Sequence, residues 1–314
     1  MSADSVIVPF SPTHPDQALE FARLVEETGA RRLWFGQCLA LEPHQLMAYI
    51  AGAGVRVSCG TAVAVAPLRS PYEEFLHARS LAALTGLPFV AGVGPSGPEL
   101  VAALRGEPYA RPRTAMAEYL KVLGQLRDDG AANVAGEYHR VRANVAPLEH
   151  ERVEIGAGVL RPAMARTAGE FADVAITWLT PPEYLADKLI PALRAGAEAA
   201  GRPVPRVATV VHVALAGPDR DPRHLAVLAN AQHLAAEHYR DALRHAGITL
   251  DPADPAAALL NAGLFVHGGG SEVAEGLRRY REAGVDEVIL NVAGVLCTEG
   301  IDAALGDLRA LLTA

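Results

Sequence analysis

Apolar runs and amphipathic stretches alternate along the whole chain, and the alternation is plainest between Cys59 and Gly97. There an apolar run ends at Pro67 and a polar turn follows. Leu76, Leu81 and Leu84 then recur near helical spacing, and a second apolar run over 89–93 leaves through a glycine-rich exit. The pattern predicts strand, turn, helix and strand. The runs over 61–65 and 89–93 are apolar without alternation, as strands covered on both faces are, and a helix between them implies a parallel pair. The expected fold class is α/β.

The rest of the pattern repeats that unit. A strand over 5–10 precedes a helix over 16–28, opened by Pro15 and stopped by Gly29. Residues 32–35 and 43–51 supply the second strand and helix. Beyond Gly97 come a helix from Pro98 to Gly106, a longer one over 113–128, and a polar stretch in which Tyr138, Val141 and Val145 suggest a hairpin covering the site. The fifth strand is read over 153–156, its helix over 162–171 and the sixth strand over 174–178. A helix over 183–200, a long seventh strand over 206–215 and one long helix over 223–247 follow. Short helical turns, a helix N-capped by Ser271, an eighth strand over 288–292 and a closing helix over 301–312 complete the chain. Eight strands alternating with helices in 314 residues predict a (β/α)8 TIM barrel with insertions. It is read as a single domain over 1–314 with an insertion around 98–150 above the barrel mouth.

Composition narrows the setting. Half of the residues are apolar but only 5% are aromatic, so the core must be packed by aliphatic side chains. A formal net charge of −8 with scattered arginines argues against a nucleic-acid partner. Cys38, Cys59 and Cys297 make neither a disulfide framework nor a CxxC metal pair. No apolar run reaches the roughly 20 residues of a membrane helix, and no basic-then-apolar leader opens the chain. The expectation is a soluble, cytoplasmic protein with no membrane partner.

In barrels the chemistry sits at the C-terminal ends of the strands. Gly92, Gly94 and Gly97 spell GxGxxG there, yet they fall in the fourth unit and no acidic strand end follows, which disfavours a dinucleotide fold. The segment IGAGVLRP is the stronger signal. Gly156 and Gly158 leave the strand, Pro162 suits a first helical position, and unpaired amides with Arg161 suit an anion. His212, flanked by valines, reads as a core histidine. No HExxH or Cys/His cluster appears, so no metal is expected, and no GxSxG elbow supports a serine hydrolase. Leu225, Leu228 and Leu234 share a helix face that is either core or the surface of a homodimer.

Several stretches together resemble the luciferase-like flavin and deazaflavin (coenzyme F420-dependent) oxidoreductase superfamily. They are GTAV with the loop bearing Arg69, Ser70 and Pro71, FVAGVGPSG, the helix over 113–127, IGAGVLRPAMARTAGEFADVAI and AGVDEVIL. The resemblance implies a loop made of Gly156, Ala157, Gly158, Leu160 and Arg161 that binds the cofactor phosphate. It also implies a ring resting against Ala62 and Val63 on a bulged third strand with a non-prolyl cis peptide, beside Gly94, Ser96 and Gln37. The cofactor implied is coenzyme F420, with FMN as alternative. Gln37 and Cys38 stand where deazaflavin sugar-phosphate and alcohol dehydrogenases carry an acidic residue and a histidine. Reduction of an activated C=C or C=N bond, in a small-molecule or modified-peptide (dehydroamino-acid) substrate, is therefore expected over alcohol oxidation. Trp178 and Asn291 are expected to face substrate, and Cys38, Tyr109 and His139 are the candidates for the proton that accompanies hydride transfer. An FMN-dependent monooxygenase and a non-catalytic ligand-binding barrel stay open as alternatives.

Overall fold

The structure, a computed structural model, describes residues 4–314. In chain order the strands are β1 (Ser5–Ile7), β2 (Leu33–Phe35), β3 (Cys59–Thr61), its continuation β4 (Ala64–Val65), β5 (Phe89–Gly94), β6 (Ala131–Ala135), β7 (Arg140–Asn144), β8 (Val153–Gly158), β9 (Val174–Trp178), β10 (Arg206–Leu215), β11 (Phe265–Gly268) and β12 (Glu287–Asn291). Parallel pairing runs β1-β2-β3-β5-β8-β9-β10-β12 and returns to β1, where Ser5 faces Ile289. This is the expected (β/α)8 TIM barrel.

Around it lie α1 (Pro15–Thr28), α2 (Pro43–Gly52), α3 (Pro71–Thr85), α4 (Pro98–Arg105), α5 (Pro112–Asp129) and α6 (Pro162–Phe171). After them α7 (Pro182–Tyr184) passes through a π turn (Leu185–Leu189) into α8 (Ile190–Ala199). The chain ends with α9 (Pro222–Ala235), α10 (Glu237–His245), α11 (Pro255–Asn261), α12 (Gly270–Glu282), α13 (Ala293–Glu299) and α14 (Ile301–Thr313). Proline at the first turn and left-handed glycine just past the end, as Pro71 and Gly86 bracket α3, set many of these boundaries. α5 packs between α3 and α6 as a regular ring helix, and the β6–β7 hairpin stands on it.

Three readings are corrected. The stretch over 223–247 is two helices, broken at Ala236, whose backbone is extended (φ −86°, ψ 124°). β11 is a ninth parallel strand that extends the sheet beyond the barrel, pairing with the last four residues of β10. α12 is capped at Gly269, whose N–H donates to the Glu272 carboxylate, rather than at Ser271. Leu225 is buried and Leu234 packs against the same cluster, so that helix face is core.

Ile7, Trp34, Ala62, Val90, Val174, Ile176, Val210 and Ile289 fill the barrel, apart from the larger layer between sheet and helices. Its N-terminal end is closed by charge. Glu287, fully buried, accepts from Ser5 Oγ (2.7 Å), Trp34 Nε1 (2.8 Å), Arg32 Nη1 (3.1 Å) and Arg206 Nη1 (3.1 Å). Burial alone would push its carboxyl up, but Arg32 and these donors outweigh that and hold it below the usual carboxylate range. With that end sealed, the opposite end is left for a site. Among the described residues no helix is long and apolar enough to cross a membrane.

Candidate active site

The third strand is interrupted where the site begins. Thr61 Oγ1 donates to Gly92 O (2.7 Å) and accepts from Gly92 N (2.9 Å), standing in for a ladder bond that the backbone no longer makes. The Ala62–Val63 peptide is cis, and Gln37 Oε1 accepts from Val65 N (3.1 Å) to pin the strand where it resumes. A Cβ on Gly92 would lie 1.9 Å from Thr61 O, so the protein's own backbone, and not a ligand, requires glycine there. Val63 is left half-buried, its methyls over Gly94 and Gly158: a Cβ on Gly94 would come within 2.7 Å of Val63 Cγ2, and one on Gly158 within 3.4 Å.

Above this bulge lies a cavity of about 590 Å³, a size that suits a cofactor-sized ligand. Of the residues picked from sequence, Ala62, Val63, Gly94, Ser96, Tyr109, Gly158, Leu160, Arg161 and Trp178 line it. Gly156 and Ala157 lie deeper in β8 and do not line it; a Cβ on Gly156 would meet Ile176 Cδ1 and Gly92 Cα. Two helices that border it, α4 and α6, start without a side-chain cap; in α6 Pro162 has no N–H and Met164 N donates to Arg161 O (3.0 Å), which leaves the Ala163 amide as the unpaired first-turn donor. Arg161 stands at the start of α6 and pairs with Asp241 of α10. Ser96, at φ 65°, lies in the left-handed region, and Leu179, next to Trp178, lies there too at 51°. Such conformations in non-glycine residues gather at ligand sites.

One wall is aromatic. Trp178 stacks on His233 (centroids 4.7 Å apart), and Tyr239 meets His233 edge-on at 4.8 Å. The Trp178 indole N–H donates to His212 Nε2 (3.2 Å), so it is not offered to a ligand. Burial pushes His212 down to about 3 and His233 down to about 4, and both rings are neutral at ordinary pH. Tyr109 keeps its O–H available: its oxygen accepts from Arg105 Nη1 (3.2 Å), whose guanidinium lies 4.4 Å from the ring centroid.

The other candidates lie elsewhere. Gln37 and Cys38 line a second cavity of about 570 Å³ outside the barrel, shared with Glu42, His44, Arg69 and His77. Burial first, and the Glu42 charge second, push the Cys38 thiol up to about 11, which leaves it a poor nucleophile and a poor acid. His139 sits at the hairpin turn, edge-on to Tyr119 at 5.2 Å, away from the lining of both cavities. Asn291 is buried and its Oδ1 accepts from Ala293 N (2.9 Å), fixing the start of α13. Sequence reasoning missed Glu99, His238 and Asp241, which line the first cavity. The last two became visible only with the break at Ala236.

The family model described as luciferase-like monooxygenase matches residues 5–287. The chain belongs to the luciferase-like monooxygenase family. Among curated proteins no sequence matches it. Solved structures share its fold over nearly their whole length. An F420-dependent secondary alcohol dehydrogenase in complex with an F420–acetone adduct has a TM-score of 0.77 at 18% identity, covering 99% of both chains. The coenzyme F420-dependent tetrahydromethanopterin reductase from Methanopyrus kandleri scores 0.69 at 16% identity, over 98% of this chain and 97% of that one. The oxygenating constituent of 3,6-diketocamphane monooxygenase from Pseudomonas putida, in complex with FMN, scores 0.75 at 14%, over 98% and 96%. This luciferase-like chain is thus an oxidoreductase by family, with structural neighbours that use either cofactor.

Proposed function

We propose that the chain is a coenzyme F420-dependent reductase that serves hydride transfer to an activated C=C or C=N bond in a small-molecule or modified-peptide substrate. One observation carries the reading: a single cavity joins the slot of Val63, Gly94 and Gly158 to the uncapped start of α6 with Arg161 beside it. That donor set suits a flat ring with a phosphate-bearing tail. When bound, the deazaflavin supplies the hydride. Arg161 and the Ala163 amide at the start of α6 hold the phosphate, Val63 backs the ring, Trp178 walls the substrate, and Ser96 contributes a hydroxyl. Tyr109, its oxygen already accepting from Arg105, turns its O–H to the substrate as proton donor. The preference for reduction over alcohol oxidation rests on residue type, since Gln37 and Cys38 supply neither the acid nor the imidazole that the resembled alcohol dehydrogenases carry. Three free cysteines support a cytoplasmic setting.

Titration of the purified protein with F420 and with FMN, followed by absorbance and fluorescence, tests the reading. Saturable F420 binding is expected. Binding of FMN alone would move the assignment to an oxygen-using monooxygenase on the same slot, and binding of neither to a ligand-binding barrel. With an accepted substrate, Tyr109→Phe is expected to slow single-turnover reduction by about 10²–10⁴-fold with cofactor affinity intact.

A further inference from the structure

Outside the barrel, between α2 and α3, three buried polar atoms point to one place. His44 Nε2 and Glu74 Oε1 face each other at 3.3 Å and make no other polar contact, His77 Nδ1 has no partner, and the three side chains bring ligand atoms within 4.8 Å of one another. His44 is 4% exposed and Glu74 fully buried, so the pair is closed to water and the His77 nitrogen beside it stays without a partner. Their other ends are held. His44 Nδ1 lies 2.8 Å from Glu42 Oε1, Arg69 Nη1 donates to Glu74 Oε2 (3.3 Å), and Arg69 Nη2 donates to Glu42 Oε1 (3.1 Å).

We propose that His44, Glu74 and His77 form a divalent transition-metal site of zinc type, with its fourth position open to the 570 Å³ cavity. Two imidazoles and one carboxylate are a common three-ligand set for zinc with a water in the fourth place. Geometry agrees. His44 Nε2 and Glu74 Oε1 are 3.3 Å apart, against about 3.4 Å for two ligands of a tetrahedral centre with bonds near 2.1 Å. Glu74 and His77 are three residues apart on α3, hence on one face, as in the Glu-x-x-His pairs that carry metals in helical bundles. His77 is half-buried on the cavity wall. The supporting shell is also in place. Glu42 holds His44 Nδ1 and so turns Nε2 toward Glu74, and Arg69 turns Glu74 so that Oε1 faces His44. Glu42 and Glu74 against Arg69 leave one negative charge once an entering ion has displaced the proton that His44 holds between the two carboxylates, which favours a divalent ion. His44 is 30 residues from Glu74, so no metal spacing appears in the sequence.

The test is titration of chelator-treated, full-length protein with CoCl2 and ZnCl2. One cobalt per chain is expected, with the visible bands of a four-coordinate ion, no thiolate charge-transfer band, and displacement by zinc. Zinc should also raise the thermal midpoint in step with its concentration. His77→Ala, at a half-buried position, should fold by circular dichroism and bind at least about a hundredfold more weakly. Glu42→Gln, which keeps an oxygen for the Gln45 amide at the start of α2 and removes the charge beside His44, should cost about 10–100-fold. Absence of cobalt binding up to millimolar concentration would overturn the proposal, with His44 then bridging the carboxylates through a proton. So would equal affinity in His77→Ala, or thiolate bands that vanish in Cys297→Ser.

Discussion

Arg161 and Asp241 pair at the cavity that would receive the cofactor phosphate, and this makes the two residues act with opposite sign. Arg161→Ala removes the cation at the start of α6. A hydrogen bond to a charged group contributes about 1.5–3 kcal/mol. The Arg161 side chain is 43% exposed, so solvent screening trims this. A loss of about 1–2 kcal/mol, or roughly 5–30-fold in Kd, is expected. Asp241→Asn keeps the shape but frees the guanidinium and removes a carboxylate that would repel the phosphate. At a separation of about 6 Å and an effective dielectric of about 50, that repulsion is near 1 kcal/mol, so affinity should rise about fivefold. Fluorescence titration of F420 against both variants at low and high salt measures the two effects, and both should shrink as salt rises. If Asp241→Asn weakened binding, or Arg161→Ala left it unchanged with the fold intact, the phosphate would lie elsewhere.

The other predictions concern the frame of the site. Glu287→Ala leaves buried Arg32 only its longer pair with Glu154 (3.6 Å) and should lower the urea-unfolding free energy by about 3 kcal/mol while F420 affinity in the folded protein is unchanged; a loss below about 1 kcal/mol would refute the account of the closed barrel end. Gly92→Ala drives a Cβ to 1.9 Å from Thr61 O and should destabilise by about 2–4 kcal/mol, whereas Gly158→Ala, in ordinary contact with Val63, should stay within about 1 kcal/mol of the parent. His212 and His233, pushed down to about 3 and about 4 by burial, stay neutral in the fold while the unfolded chain takes up protons below about pH 6.5. Their penalty is therefore absent above about pH 6.5 and grows as pH falls, by up to about 1.4 kcal/mol per pH unit for each ring, so urea midpoints at pH 7.5 and 5 should differ less in His212→Gln than in the parent.

The barrel was legible because each of its strands is an apolar run covered on both faces, and helix starts carry proline while several ends carry glycine. β11 and α13 were not. β11 is four residues long and ends in a glycine run that reads as a turn, and α13 follows β12 with only Val292 between them. Within the site, the loop after β8 stood out because glycine, arginine and proline carry conformational meaning in themselves. Gln37, Cys38 and Asn291 were misdirected by a rule about strand ends that says nothing of side-chain direction. Beyond β2 the chain turns outward, so Cys38 Sγ falls 3.6 Å from Gly36 O beside the second cavity, and Asn291 is spent on the backbone of Ala293.

The break at Ala236 shows why the rest of the site could not be read locally. The segment HLAAEHYRDAL has no glycine or proline, and its residues are good enough helix formers to predict continuity. Ending α9 there leaves terminal carbonyls without amide partners, a loss that needs compensation in the folded chain. Arg240 supplies it, donating from Nη1 to Leu234 O and Ala235 O at 2.9 Å each, as basic side chains do at helix ends. What the turn gains is tertiary: Tyr239 comes edge-on to His233 over Trp178, and His238 packs so close to Gly97 that a Cβ there would lie 3.0 Å from its Nδ1. Only then does Asp241 face Arg161. The partner of the proposed phosphate ligand is thus set by an aromatic contact and an arginine cap some 80 residues along the chain, a coupling that no local pattern carries.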